Sequence, residues 1–227
     1  MASLDWSAIG LSLRLAAIVC TVLLVIGTPI AYWLTFSKWR WKFLVESVVA
    51  LPLVLPPTVL GFYVLLAIGS RSPVGRAWEG WTGHGLAFTF EGLVLASLLY
   101  SLPFMVQPIG AAFARVDRSL IEASATLGAS RVRTFFRVTV PLSVEGIITG
   151  IVLSFAHTLG EFGVVLMVGG NLPGTTRTVS IAIYDHVQAF QYDEAKATAL
   201  FLLLFSFVIL ALVYSLTRKP WAVAPNA

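Results

Sequence analysis

Residues 15–37 read LAAIVCTVLLVIGTPIAYWLTFS, a run with no formal charge, bounded by Arg14 and Lys38. A helix needs about 20 consecutive apolar residues to cross the hydrocarbon core of a bilayer, and this run meets that length. Three further uncharged runs of the same order follow, at 47–70, 92–114 and 197–217. A fifth apolar stretch, 141–168, differs in carrying Glu145, His157 and Glu161. The expected fold is therefore an all-α integral membrane protein, one domain over 1–227, with about five transmembrane helices.

Composition points the same way. The chain is 58% hydrophobic and only 11% charged, whereas a soluble domain carries about 25% charge. Disorder needs the opposite balance. The formal net charge of +4 follows the placement of loops rather than forming a basic patch for nucleic acid. Cys20 is the single cysteine, so there is no disulfide framework and no cysteine metal site. The first run is longer than the roughly 7–15 residues of a signal-peptide core, and no basic segment precedes it.

Lys and Arg set the orientation. Ten of them flank the spans on one side, among them Lys38, Arg40, Lys42, Arg131, Arg133 and Arg137, against five on the other. The positive-inside rule then puts the N-terminus outside and the C-terminus in the cytoplasm. Trp39 and Trp41, next to three basic residues, form an interface anchor, and Trp78 and Trp81 an outer one. Between spans four and five, Val179, Ile183, Val187 and Phe190 share one helical face, but Asp185, His186, Asp193 and Glu194 make the segment too polar for an ordinary span. It is expected to be an interfacial or partly re-entrant sixth helix.

Span two contains Pro52, Pro56 and Pro57. Each removes a backbone donor and clashes with the preceding turn, so the helix must kink or break, with freed carbonyls turned toward the bundle interior. Thr58 in span two and Ser154 in span four add hydroxyls to these spans. In span four, Gly146, Gly150 and Ser154 recur every four residues and let another helix approach closely. His157 and Glu161 continue that stripe and point at protein. Pro56, Pro57, Thr58, Ser154, His157 and Glu161 are the candidate pathway residues. His157-x-x-x-Glu161 has no third ligand beside it and is not a His-Glu-x-x-His motif, so no metal site is expected.

The loop at about 115–140 carries the most information. Ser119 and Glu122 have capping-box spacing, which predicts a helix starting at Ser119. Gly128 suits its end, Ser130 caps a second helix through Arg131, Arg133 and Arg137, and Pro141 opens span four. Val132, Phe135 and Phe136 add apolar surface to this elbow. Glu122-Ala123-Ser124, then Gly128, Val138, Val140 and Pro141, match in spacing the cytoplasmic signature of the ABC importer permeases: Glu-Ala-Ala, three residues, Gly, nine residues, Ile-x-Leu-Pro. The sequence resembles that family. Ser124, Val138 and Val140 depart from it by small or apolar replacements. The proline run at 51–57, Leu159-Gly160-Glu161-Phe162-Gly163 and Leu172-Pro173-Gly174-Thr175-Thr176-Arg177-Thr178 resemble the molybdate branch, close to the sulfate permeases.

The resemblance implies an inner-membrane permease for an oxyanion, most like molybdate, with sulfate or tungstate as alternatives. It also implies a second copy of the chain, two cytoplasmic ATPase subunits and an extracytoplasmic binding protein. Glu122, Ala123, Ser124, Gly128, Arg131 and Pro141 would form the ATPase-coupling elbow. No Gly-x-x-x-x-Gly-Lys-Ser/Thr occurs, so ATP and Mg are expected on the partner, and the chain itself binds no cofactor. An intramembrane hydrolase using His157 and Glu161 is the rival reading, and it lacks a nucleophile motif such as Gly-x-Ser-x-Gly. A membrane scaffold is a second rival.

Overall fold

The computed structural model describes residues 4–217. Helix α1, Trp6–Phe36, begins where the Asp5 carboxylate accepts the Ala8 amide at 2.9 Å, satisfying one of the first-turn donors that no helical carbonyl reaches. After the tryptophan-flanked turn come α2, Lys42–Ala50, prolonged by one tight turn at Leu51–Leu53, and α3, Pro57–Ile68. A short outer helix α4, Pro73–Thr82, precedes α5, Phe90–Ala114, whose Thr89 hydroxyl accepts the Gly92 amide.

The elbow follows: α6, Arg118–Thr126, then α7, Arg131–Thr134, a wider turn at Phe135–Thr139, and α8, Val140–Leu142. Then come α9, Val144–Gly160, α10, Gly163–Gly169, α11, Val179–Gln188, and α12, Tyr192–Thr217. Among the described residues, α1, α5 and residues Tyr192–Leu212 of α12 are long and apolar enough to cross a membrane unaided. Counting each bent pair as one span brings the total to five.

Two expected spans are more broken than their sequences suggested. The chain bends by 113° between Lys42–Leu53 and Pro57–Ile68, a break far sharper than a kink, as in a broken span or a re-entrant loop. Pro52 is buried, but Val54 at the break is 82% exposed on this chain, so the break is not wholly turned inward. Span four does not begin at Pro141. That proline ends the elbow, and α9 restarts at Val144 at an angle of 74° to it. The span also stops at Gly160, and α10 forms a separate half-helix.

The core lies where α1, α5 and α9 meet. Leu15, Val19, Leu23, Met105, Ile109 and Phe113 are fully or almost fully enclosed there. Small residues set the spacing, as the seam predicts. A Cβ on Gly146 would sit 2.3 Å from the Ala112 Cβ, and one on Gly150 3.1 Å from the Met105 carbonyl oxygen. A second cluster joins α3 and α10 through Val64, Ile68, Val164 and Val168.

Helix α11 is only 10 residues, about 15 Å long at 1.5 Å per residue, too short to span. Its packed side is not the expected one. Val179, Ile181 and Ala182 are buried, Val187 is exposed, and Phe190 lies beyond the helix end. The N-terminal end of α11 docks through Val179, whose amide donates to Ser12 Oγ at 2.8 Å; this fixed point outweighs the longer apolar stripe.

Candidate functional site

The elbow is built by two caps and one left-handed turn. Asp117, not Ser119, caps α6: its carboxylate accepts the Ser119 amide at 2.9 Å. That hydrogen bond holds the Asp117 carboxyl below the usual carboxylate range. The capping box is therefore absent, because the Ser119 amide expected to take part in it is already bonded to Asp117, two residues earlier. The Glu122 side chain stays exposed and makes no hydrogen bond or ion pair among the described residues.

At the other end of α6, Gly128 has φ +79, a conformation that costs a residue with a Cβ roughly 1–2 kcal/mol. The Gly128 amide donates to Ala125 and the Ala129 amide to Ser124, the paired bonds of a Schellman ending. Ser130 then accepts the Arg133 amide at 3.2 Å and starts α7. Across the turn, Ser124 Oγ and Thr134 Oγ1 are 2.8 Å apart, tying the two arms.

The second arm is anchored to the spans by aromatic packing. The Phe135 ring lies 5.1 Å from Tyr32 in α1 and 6.1 Å from Phe113 in α5, both edge-to-face. The tip, by contrast, is bare: Leu127 is 87% exposed and Leu120 also faces out. A stiff turn with an unpaired carboxylate and apolar tip, bolted to two long helices, can receive a push and pass it on.

The pathway candidates fall into separate groups. Pro57 meets Gly163, where an added Cβ would stand 2.7 Å from the proline Cβ. The broken spans thus pack on each other at their breaks, while Pro56 and Thr58 stay exposed. Glu161 is not on the α9 stripe, because the helix has ended. It is buried, its carboxylate accepts the Val164 amide at 2.8 Å, and its carbonyl accepts Ser180 Oγ of α11. His157 sits against α5: Ser101 Oγ is 3.0 Å from Nδ1 and 2.8 Å from Thr158 Oγ1. Its ring lies between Tyr100 and Phe104, at 4.7 and 3.9 Å. Ser154 is fully enclosed with its hydroxyl unpartnered.

An open groove of about 450 Å³ between α1, α2 and α5, mostly apolar but with four polar side chains in its lining, was missed by the sequence reading. Thr35, Lys42, Glu46 and Gln107 line it, with Lys42 Nζ 3.5 Å from Glu46 and 3.1 Å from the Leu34 carbonyl. Gln107 is the one carboxamide in the run 92–114, and an uncharged-run count passes over it. An exposed amide at membrane depth is costly against lipid, and that cost was the signal available.

With this geometry in view, residues 13–219 match the family described as binding-protein-dependent transport system inner membrane component. The chain is 52% identical over 215 residues to the molybdenum transport system permease protein ModB of Azotobacter vinelandii, covering 94% of this chain and 95% of the relative. It is 39% identical to ModB of Escherichia coli strain K12, over 93% and 92% of the two chains. Among solved structures, a bacterial ABC transporter involved in import of the acidic polysaccharide alginate aligns with TM-score 0.75 at 18% identity, over 95% of this chain and 79% of that one. The inward-facing MetNI methionine ABC transporter aligns with TM-score 0.71 at 17% identity, over 93% of each. At those identities the structures speak to the fold alone.

Proposed function

The chain belongs to the family of binding-protein-dependent transport system inner membrane components, and on that footing we propose that it is the permease subunit of an ATP-driven importer that carries molybdate across the inner membrane. The 52% identity to a molybdenum permease across nearly the whole of both chains carries the choice of cargo. Sulfate and tungstate are the neighbouring alternatives.

The working assembly is two copies of this chain, two cytoplasmic ATPase subunits that bind ATP and Mg, and an extracytoplasmic binding protein. The N-terminus lies outside and the elbow inside, in keeping with the charge bias. Glu122, Ala123, Ser124, Gly128 and Arg131 present the docking surface, and Pro141 closes the elbow ahead of the bend at Ser143. ATP-driven closure of the motors moves the elbows, Phe135 transmits that movement to α1 and α5, and the bundle alternates between outward and inward openings.

Affinity for the anion resides in the binding protein, so the path needs only weak donors. Gln107 and Lys42 in the groove between α1, α2 and α5 join Pro56, Pro57 and Thr58 as its walls. His157 and Glu161 act mainly as struts, because Ser101 engages Nδ1 of the one and the Val164 amide Oε1 of the other. Vesicles holding the full complex should take up molybdate only with ATP and binding protein present. Uptake that excess sulfate blocks better than molybdate does would reassign the cargo, and uptake without ATP would remove the importer reading.

A further inference from the structure

Between the last turns of α1 and the elbow runs a groove of about 750 Å³; of its lining the transport reading uses Arg131 and Phe135, and it gives the groove itself no occupant. Tyr32 and Phe36 line one wall, and Ala129, Val132 and Phe136 the other. Arg131 is the single charged residue in the lining, and it makes no ion pair among the described residues.

Depth narrows what can fill it. One end is at Ser37, next to Lys38, Trp39, Arg40 and Trp41, where basic and tryptophan side chains mark the lipid headgroups. The other end is at Pro29, eight residues back along α1 and so about 12 Å toward the hydrocarbon. A soluble partner reaches only the outer end. The occupant must be apolar where it passes Tyr32 and anionic where it meets Arg131.

We propose that this groove is a binding site for an anionic phospholipid, with an acyl chain along Tyr32, Phe36 and Phe136 and the headgroup phosphate against Arg131. Lys38, Arg40 and Arg133 flank it in sequence and add to the positive field that draws anionic lipid to the inner leaflet. The lipid wedges between α1 and the arm that carries Phe135, so it stiffens the joint through which the elbow moves the spans. The proposal rests on the elbow lying at the membrane face, as the transport reading has it, and not on which anion crosses.

The test is native mass spectrometry of the complex purified with its co-purifying subunits, titrated with dioleoyl phosphatidylglycerol or dioleoyl phosphatidylcholine and no cargo. The wild type should retain phosphatidylglycerol with a roughly five-fold preference, the size expected of one basic contact at the surface. Arg131→Gln should bind both lipids alike, and Ala129→Trp, which fills the groove, should bind neither at this site. Equal retention of both lipids by the wild type would overturn the proposal. So would unchanged preference in Arg131→Gln, or loss of the ATPase subunit from Ala129→Trp with lipid retention intact, which would make the groove a protein dock. Because no cargo is present, a failed molybdate uptake assay bears on the cargo and not on this result.

Discussion

Ser124 Oγ and Thr134 Oγ1 stand 2.8 Å apart across the Gly128 turn, so the two arms of the elbow are joined by a hydroxyl pair. Ser124 occupies the place where the signature it resembles has alanine. Ser124→Ala should lower stability by about 0.5–1.5 kcal/mol, the net worth of one such bond, and leave uptake within two-fold of the wild type, roughly 0.4 kcal/mol in activation terms. Thermal unfolding of the purified complex and vesicle uptake check the two halves.

Glu122 is exposed and unpaired among the described residues, so its side chain does nothing for the fold of this chain. Glu122→Ala should change the unfolding free energy by less than about 0.5 kcal/mol, as surface substitutions do, yet abolish transport. Normal uptake by the inserted variant would remove Glu122 from the motor contact.

Gly128 is strained for any residue with a Cβ by its φ of +79, though its surroundings are open. Gly128→Val should cost roughly 1–2 kcal/mol or more, and Gly128→Asn distinctly less, because asparagine tolerates the left-handed region. The two variants' melting temperatures and ATP-driven uptake should fall in the same order.

Phe135 touches Tyr32 and Phe113, linking the elbow to two spans. Phe135→Ala should uncouple the machine: the ATPase subunits still bind and hydrolyse ATP while uptake drops. Loss of aromatic packing also costs about 3–5 kcal/mol at a fully enclosed site and less at this half-buried one. Measuring hydrolysis and uptake on the same vesicles separates uncoupling from unfolding.

Gly163 and Gly61 let the half-helices meet. A Cβ on Gly163 would lie 2.7 Å from Pro57, and one on Gly61 2.8 Å from the Met167 Cβ. Alanine at either should cost about 1–3 kcal/mol by overpacking, visible as a lower melting temperature, with the double substitution less than additive because both act on one interface.

The amino-acid sequence alone determined the class of this protein. Runs such as 15–37 and 197–217 are too apolar and too long for anything but lipid, and no packing arrangement alters that preference. Gly128 was legible for a similar reason, since it marks a backbone conformation that other residues resist. The seam at Gly146 and Gly150 was readable as a close helix contact, though not its partner, α5.

Tertiary structure decided what depends on which groups meet. Asp117 took the amide assigned to Glu122, because an available acceptor nearer the helix start satisfies it first. The prolines announced a break near Pro56 but not an angle of 113°, which depends on α3 packing against α10. Glu161 left its stripe when α9 ended at Gly160, and Gln107 became notable only once the fold set it in one open groove with Lys42 and Thr35. Local chain chemistry sets what a segment prefers; the contacts between segments far apart in sequence set which preference survives, and those contacts exist only in the folded molecule.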